Sequence, residues 1–233
     1  MRVLALDTAT QACSAAVLNG AAACSRFELL ERGHAERILR MIDEVLEEAA
    51  VTLEALDGIG VGRGPGGFTG VRLAVSIAQG LAFGSGLLLA PVSDLRALAQ
   101  RALDRDPRLK GVLVCNDARM NEVYWTYTSR DPRGYAEPDT PERVGGIEQV
   151  ELAVGASGPI AGVGSGFRVY PRLAERFAGR LDYVDPSALP HAEDIARLAA
   201  LELREGRAVQ PERALPVYVR DDVARPPAMP SRD

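Results

Sequence analysis

The 233-residue sequence predicts an α/β fold in two lobes. Two short apolar runs around a polar turn open the chain, as a hairpin would. Helical and strand-like periods then alternate as far as Leu103, and past a polar stretch a similar programme starts again at Gly111. That return is the pattern of a distant internal duplication.

The elements follow in order. Arg2–Leu6 and Ser14–Leu18 are the two apolar runs, with Thr8–Gln11 as the turn and a third strand near Cys24–Leu29. Ile38, Leu39, Met41, Ile42, Val45, Leu46 and Ala49 then recur at helical spacing. At about 100° per residue they sweep an arc of about 160°, wider than one core-facing stripe requires. Gly58–Gly62 reads as a strand, Gly64-Pro65-Gly66-Gly67 as a turn, and Thr69–Phe83 as a helix with Thr69 at its N-cap. Leu87–Ala90 is a buried strand and Val92–Leu103 a helix capped by Ser93. Around Asp104–Lys110 the composition turns polar around Pro107, which places a lobe boundary there and divides the chain into 1–104 and 105–233. Strands follow at Gly111–Cys115 and Glu122–Thr128, the latter with Val123, Trp125 and Tyr127 on one face. Ser129–Gly146, rich in Pro, Gly and charge, reads as an exposed loop. Pro159–Val163 is a strand, Tyr170–Phe177 a helix, Asp182–Val184 a strand, Ala192–Arg204 an amphipathic helix and Pro216–Arg220 a last strand, ahead of a loose tail from Arg225.

Composition narrows the function classes. Lys+Arg number 27 against 32 Asp+Glu, a net charge of -5, so nothing favours unaided binding to a polyanion. The three cysteines, Cys13, Cys24 and Cys115, show no C-x-x-C spacing and fit reduced thiols in a cytoplasmic protein. Asp7 comes too early for a signal peptide. Leu73–Ser93 carries no charge, but its Gly, Ser, Gln and Pro residues break it into a helix, a turn and a strand, so no membrane span is expected.

The chemical motifs are few. Gly62-Arg63-Gly64-Pro65-Gly66-Gly67 has the G-x-G-x-x-G spacing between a strand and a helix. A hairpin rather than a β-α unit precedes it, however, and no acidic residue ends a strand about 20 positions later, where the dinucleotide fold needs one. Phe68 occupies the lysine position of the phosphate-loop version. A structural turn is the better reading. Asp7, Thr8 and Thr10 at the end of the first strand suit a phosphate-binding turn or a plain polar hairpin turn, and Ala9 stands where close backbone approach favours glycine. The two histidines, His34 and His191, lie far apart; His34 is followed four residues on by Ile38, so no paired imidazoles grip a metal. No nucleophile–base arrangement stands out. No catalytic residue, metal or cofactor is expected.

Five blocks nevertheless occur in a telling order: Leu6-Asp7-Thr8, His34-x-Glu36, Gly64-Pro65-Gly66-Gly67-Phe68-Thr69-Gly70-Val71-Arg72, Asp117-Ala118-Arg119-x-x-Glu122-Val123-Tyr124 and Pro216-x-Tyr218-x-Arg220. Together they resemble the TsaB (YeaZ) family, subunits for threonylcarbamoyladenosine modification of tRNA. The resemblance implies an actin-like ATPase fold (the sugar kinase, heat-shock and actin group) with two RNase H-like lobes. It also implies a non-catalytic dimerisation subunit that pairs with the catalytic transferase TsaD, works with a TsaE-like ATPase, meets tRNA only through the complex and forms a homodimer when alone. The catalytic subunit holds its metal with H-x-x-x-H, and here the second position is Ile38. Pairing in the family uses first-lobe helices, which carries onto His34, Ile38, Met41, Ile42 and Val45, and onto the small-residue stripe Gly70, Ala74 and Ala78; the alternative is that this stripe packs on the protein's own sheet. Gly64, Pro65, Gly66, Gly67 and Arg72 are expected to set the second helix in place, with Arg72 pairing with an acid. The competing function is an ATP-dependent kinase or hydrolase of the same fold that uses Asp7.

Overall fold

The computed structural model describes residues 1–220. The expected tail from Arg225 lies outside the described residues. In the first half, β1 (Arg2–Asp7), β2 (Ala12–Asn19) and β3 (Ala22–Leu29) form an antiparallel meander, followed by α1 (His34–Glu48), β4 (Gly58–Gly62), α2 (Phe68–Ser85), β5 (Leu89–Val92) and α3 (Asp94–Arg105). The second half runs β6 (Gly111–Arg119), β7 (Glu122–Arg130), β8 (Ala136–Pro138), β9 (Arg143–Gly145), β10 (Ile160–Val163), α4 (Gly166–Val169), α5 (Pro171–Arg176), β11 (Tyr183–Asp185) and α6 (Ala192–Arg204).

The first sheet has the order β3-β2-β1-β4-β5 and the second β8-β7-β6-β10-β11. In both, an antiparallel hairpin supplies the centre and two parallel strands extend it on the other side. The duplication expected from the element order is therefore present strand for strand, in the topology of the actin-like group. Among the described residues, no helix is long and apolar enough to cross a membrane.

Alternation along the strands decides what covers each face. Leu4, Leu6, Cys13, Ala15, Ile59 and Val61 point to one side of the first sheet, under α1 and α2; Val3, Ala5, Ala16 and Val92 point to the other, under α6. Val112, Val114, Ala161 and Val163 of the second sheet lie against α3, while Leu113, Cys115, Trp125 and Tyr127 lie against Phe167, Leu173 and Phe177. The last helix of each half thus crosses over: α6 returns to the first sheet, α3 packs on the second, and the two touch between the sheets. Arg101 on α3 binds Asp194 on α6 at 3.0 Å, and Arg96 binds Glu202 at 2.8 Å. Both helices are capped as their sequences ask, α3 by the Ser93 hydroxyl accepting from Arg96 N–H and α6 by His191 Nδ1 accepting from Glu193 N–H.

Three local expectations need correcting. Gly67, not Thr69, is the N-cap of α2, which starts at Phe68, so the Thr69 hydroxyl caps nothing. The 129–146 segment is not a free loop: β8 and β9 both pair with β7, and the Thr140 hydroxyl accepts from Tyr127 N–H at 2.8 Å. Pro138 is tolerated there because β8 is an edge strand. Residues 216–220 are extended but join no sheet; their ladder-like contact is the Val217 N–H donated to Arg63 C=O at 2.9 Å.

Candidate functional site

All five motif blocks meet at one place. Between the lobes lies an open cleft of about 1120 Å³, lined by Thr8–Gln11, Gly33–Glu36, Pro65–Val71, Asn116–Arg119, Tyr124 and Val217–Arg220. Each block occupies an end of a structural element. Asp7 ends β1, His34 starts α1, Gly64–Gly67 feeds α2, Asp117–Glu122 makes the β6–β7 turn, and 216–220 crosses from one lobe to the other.

Hydrogen bonds close the first-lobe side of this cleft. Gly67 N–H donates to Ala9 C=O at 2.7 Å, and Thr8 Oγ1 donates to Gly70 C=O at 2.6 Å. Gly64 has φ +92°, a left-handed conformation that favours glycine; its C=O accepts from Asp94 N–H at 3.0 Å and its N–H donates to the Asp94 side-chain Oδ2. At Gly70 a Cβ would stand 2.0 Å from Thr8 O, so only glycine lets α2 sit this close to the first turn. The loop therefore works as a structural turn that seats α2.

That seat seals the expected phosphate turn. Asp7 has no accessible surface and Thr8 almost none. Asp7 Oδ1 accepts from Ala9 N–H at 2.9 Å, the Thr8 hydroxyl is committed to Gly70, and Thr10 Oγ1 accepts from Ala12 N–H. Asp7 Oδ1, the Thr8 hydroxyl and Thr10 Oγ1 are thus spent on nearby backbone, and Asp7 is not among the residues that line the cleft. Burial raises the Asp7 pKa, and it raises that of the neighbouring Asp94 further, with Asp7's charge adding to the effect.

The expected partner-facing side chains also lie elsewhere. Ile38, Met41, Ile42, Val45, Ala74 and Ala78 are buried in the first lobe's own core, because the sheet beneath them needs exactly that apolar cover. Gly70 faces Thr8, and His34 is half-buried at the cleft. Among the residues the two helices leave exposed are Leu39 on α1, and Ser76, Gly80, Phe83 and Gly84 on α2. Sequence period alone could not choose between these sides.

Arg72 binds no acid among the described residues. Its guanidinium lies 3.4 Å from the centre of the Phe68 ring, and its Nε donates to the Tyr218 hydroxyl at 2.6 Å. Two residues on, Arg220 pairs with Glu122 and donates to Ala118 C=O at 3.1 Å. The last block is thus a strap: Tyr218 fastens it to α2 and Arg220 to the β6–β7 turn. Sequence reasoning missed the strap, although Arg and Tyr in alternate positions after Pro216 were its signal. The turn it reaches is itself strained, with Arg119, Met120 and Asn121 all at positive φ. Among the described residues no three His, Cys, Asp or Glu side chains group as a metal site.

A family model described as TsaD: tRNA N6-adenosine threonylcarbamoyltransferase matches residues 28–226. The tRNA threonylcarbamoyladenosine biosynthesis protein TsaB of Escherichia coli K12 is 40% identical over 225 residues, covering 96% of both chains. The chain belongs to the TsaB family. TsaB of Haemophilus influenzae is 36% identical over 230 residues, covering 96% of this chain and 95% of that one. The structure of YeaZ, the alternative name of the same family, from Pseudomonas aeruginosa superposes with a TM-score of 0.82 at 40% identity, covering 93% of this chain and 99% of that one. These TsaB sequences thus match this chain over nearly its whole length.

Proposed function

We propose that this chain is the non-catalytic TsaB-type subunit in the biosynthesis of threonylcarbamoyladenosine in tRNA, acting in the cytoplasm. The observation that carries the reading is the match to TsaB over nearly the whole length of both chains. The site's chemistry agrees. Asp7, the residue an ATP-dependent kinase or hydrolase would need, is sealed, and Ile38 fills the position of the catalytic subunit's second metal-binding histidine. At a net charge of -5, tRNA is met through the complex.

The partner is a TsaD-type transferase, with a TsaE-like ATPase joining the complex and a homodimer forming in the transferase's absence. The docking face is the outer side of α1 and α2. Ser76, Gly80 and Gly84 recur every fourth residue there, nothing occupies the space above the two glycines, and Leu39 and Phe83 stand exposed beside them. Such a flat stripe flanked by apolar side chains lets a second helix approach closely. Both helices pack on the first sheet, so this face belongs to the first lobe.

The test is affinity capture of the tagged full chain from cell extract, followed by mass spectrometry, alongside Ser76→Arg. The wild type should bring down a TsaD-type subunit. Ser76→Arg should keep its circular dichroism spectrum and lose both that partner and self-association, because a charge at the centre of the contact must be desolvated. A folded Ser76→Arg that retains both associations would place the interface elsewhere, and a wild type that never captures the transferase would overturn the reading.

A further inference from the structure

We propose that Asp7 and Asp94 share a single proton at neutral pH, and that this proton fastens the junction between the two lobes. Both side chains have no accessible surface. Each spends one oxygen on a backbone donor, Asp7 Oδ1 on Ala9 N–H and Asp94 Oδ2 on Gly64 N–H. The remaining oxygens, Asp7 Oδ2 and Asp94 Oδ1, find no donor among the surrounding protein groups, and the two carboxyl groups converge beside Gly62. Ionised carboxylates only accept, so a proton on one of the two is what would let them hydrogen-bond to each other. Gly62 makes the approach possible, since a Cβ there would lie 2.6 Å from Asp7 Oδ1 and 2.6 Å from Asp94 Oδ1.

Among the described residues, no cationic side chain bonds to either carboxyl. Three other titratable groups face the pair: His34 from α1 and Cys13 from β2 toward Asp7, and Arg63 from the end of β4 toward Asp94. None of the three donates a hydrogen bond to either carboxyl, and Arg63 is engaged with Glu142 at 3.2 Å. Two full negative charges in this dry position would repel each other without a counter-charge, so one carboxyl stays protonated. The position matters as much as the chemistry. Asp7 ends a strand of the first sheet, Asp94 begins the helix that covers the second, and Gly64 between them leads into α2. The proton holds these three together.

Folding then takes up one proton, because an aspartate in the unfolded chain is ionised at neutral pH. The folding constant should fall up to tenfold per pH unit through the range between an ordinary aspartate and the raised pair. Asp94→Asn keeps an oxygen for Gly64 N–H and supplies an amide N–H to Asp7, so it replaces the proton with a fixed donor. In urea unfolding of the full chain from pH 5 to 9, the stability of the wild type relative to Asp94→Asn and Asp7→Asn should fall with this slope, the contributions of other titrating groups cancelling in the difference. The infrared spectrum of the wild type at neutral pH should contain a protonated carboxylic acid carbonyl band that Asp94→Asn lacks. Parallel pH profiles, or a wild-type spectrum without that band, overturn the proposal. If neither variant folds, the wild-type spectrum decides by itself.

Discussion

Replacing Gly70 by alanine tests how tightly α2 is seated. A Cβ at this position would lie 2.0 Å from Thr8 O and 3.0 Å from the Thr8 carbonyl carbon, and both are backbone atoms at the end of β1 that cannot rotate away. Restoring ordinary contact moves the start of α2 by roughly 1 Å or more, and overpacking of this kind costs about 1–3 kcal/mol. The same movement stretches the Thr8 Oγ1–Gly70 O and Gly67 N–Ala9 O hydrogen bonds, at 2.6 and 2.7 Å, each worth about 1 kcal/mol. Against this, alanine gains about 1 kcal/mol over glycine in a helix. The net expectation is a loss of about 2–4 kcal/mol. Gly80→Ala, on the open side of the same helix, carries the propensity gain alone and should stabilise by up to about 1 kcal/mol. Urea unfolding followed by circular dichroism reads both. A Gly70→Ala protein as stable as the wild type, or two variants that shift in the same direction, would refute the close seating.

Three further outcomes follow from the same geometry. Ala74→Glu should unfold the protein rather than merely separate it from partners, since Ala74 is wholly buried and an unpaired charge there costs several kcal/mol; a folded, monomeric Ala74→Glu in gel filtration would contradict its place in the core. Purified protein with ATP and Mg²⁺ should release no phosphate in a way that depends on Asp7, and turnover abolished by Asp7→Ala would reinstate the kinase or hydrolase reading. Burial, with the charges of Arg101 and Arg105, lowers the pKa of His191 to about 4, so the unfolded chain takes up a proton that the fold refuses as pH falls from about 6.5. Stability from this group is present above that pH and lost below it; His191→Asn, which can still cap α6, should recover up to about 3 kcal/mol relative to wild type by pH 4 in thermal or urea unfolding, and an unchanged difference between pH 7 and 4 would refute it.

Much of the fold was legible because its strands are apolar on both faces and its helices are amphipathic. Leu4 and Val3 both point into cores, so the run 2–7 reads as a strand whichever helix covers it. Strands β8 and β9 were illegible for the opposite reason. Their stabilising partners are distant, as when Ala136 N–H donates to Gln100 Oε1, and their own residues are Pro, Gly and charge. The segment 216–220 misled in the reverse direction: Val217 and Val219 flank Tyr218 as in a strand, but Pro216 has no N–H and the segment pairs with no strand among the described residues. At the site, each block could be read singly, whereas their convergence could not, since it depends on chain crossings that no local pattern records. Asp94 is the sharpest case. Nothing in its sequence neighbours signals that the first residue of α3 turns inward onto Asp7.

Helix α2 shows why a small-residue stripe expected to face a partner packs on the protein's own sheet instead. Its small residues form two stripes at the same four-residue spacing: Gly70, Ala74, Ala78 and Ala82 on one, Ser76, Gly80 and Gly84 on the other. Two positions apart on a helix is about 200°, so the stripes are opposed and a period cannot tell inside from outside. Only the sheet resolves them, by taking the Ala74 stripe against Leu6 and Val61 and leaving the glycines uncovered. A helix packed on one face alone has no need of small residues on the other, where each glycine costs about 1 kcal/mol in helix propensity. Gly80 and Gly84 carry that cost with no contact inside the lobe to offset it. A second helix lying close against them would supply the contact, and that is the geometry a subunit built for pairing requires.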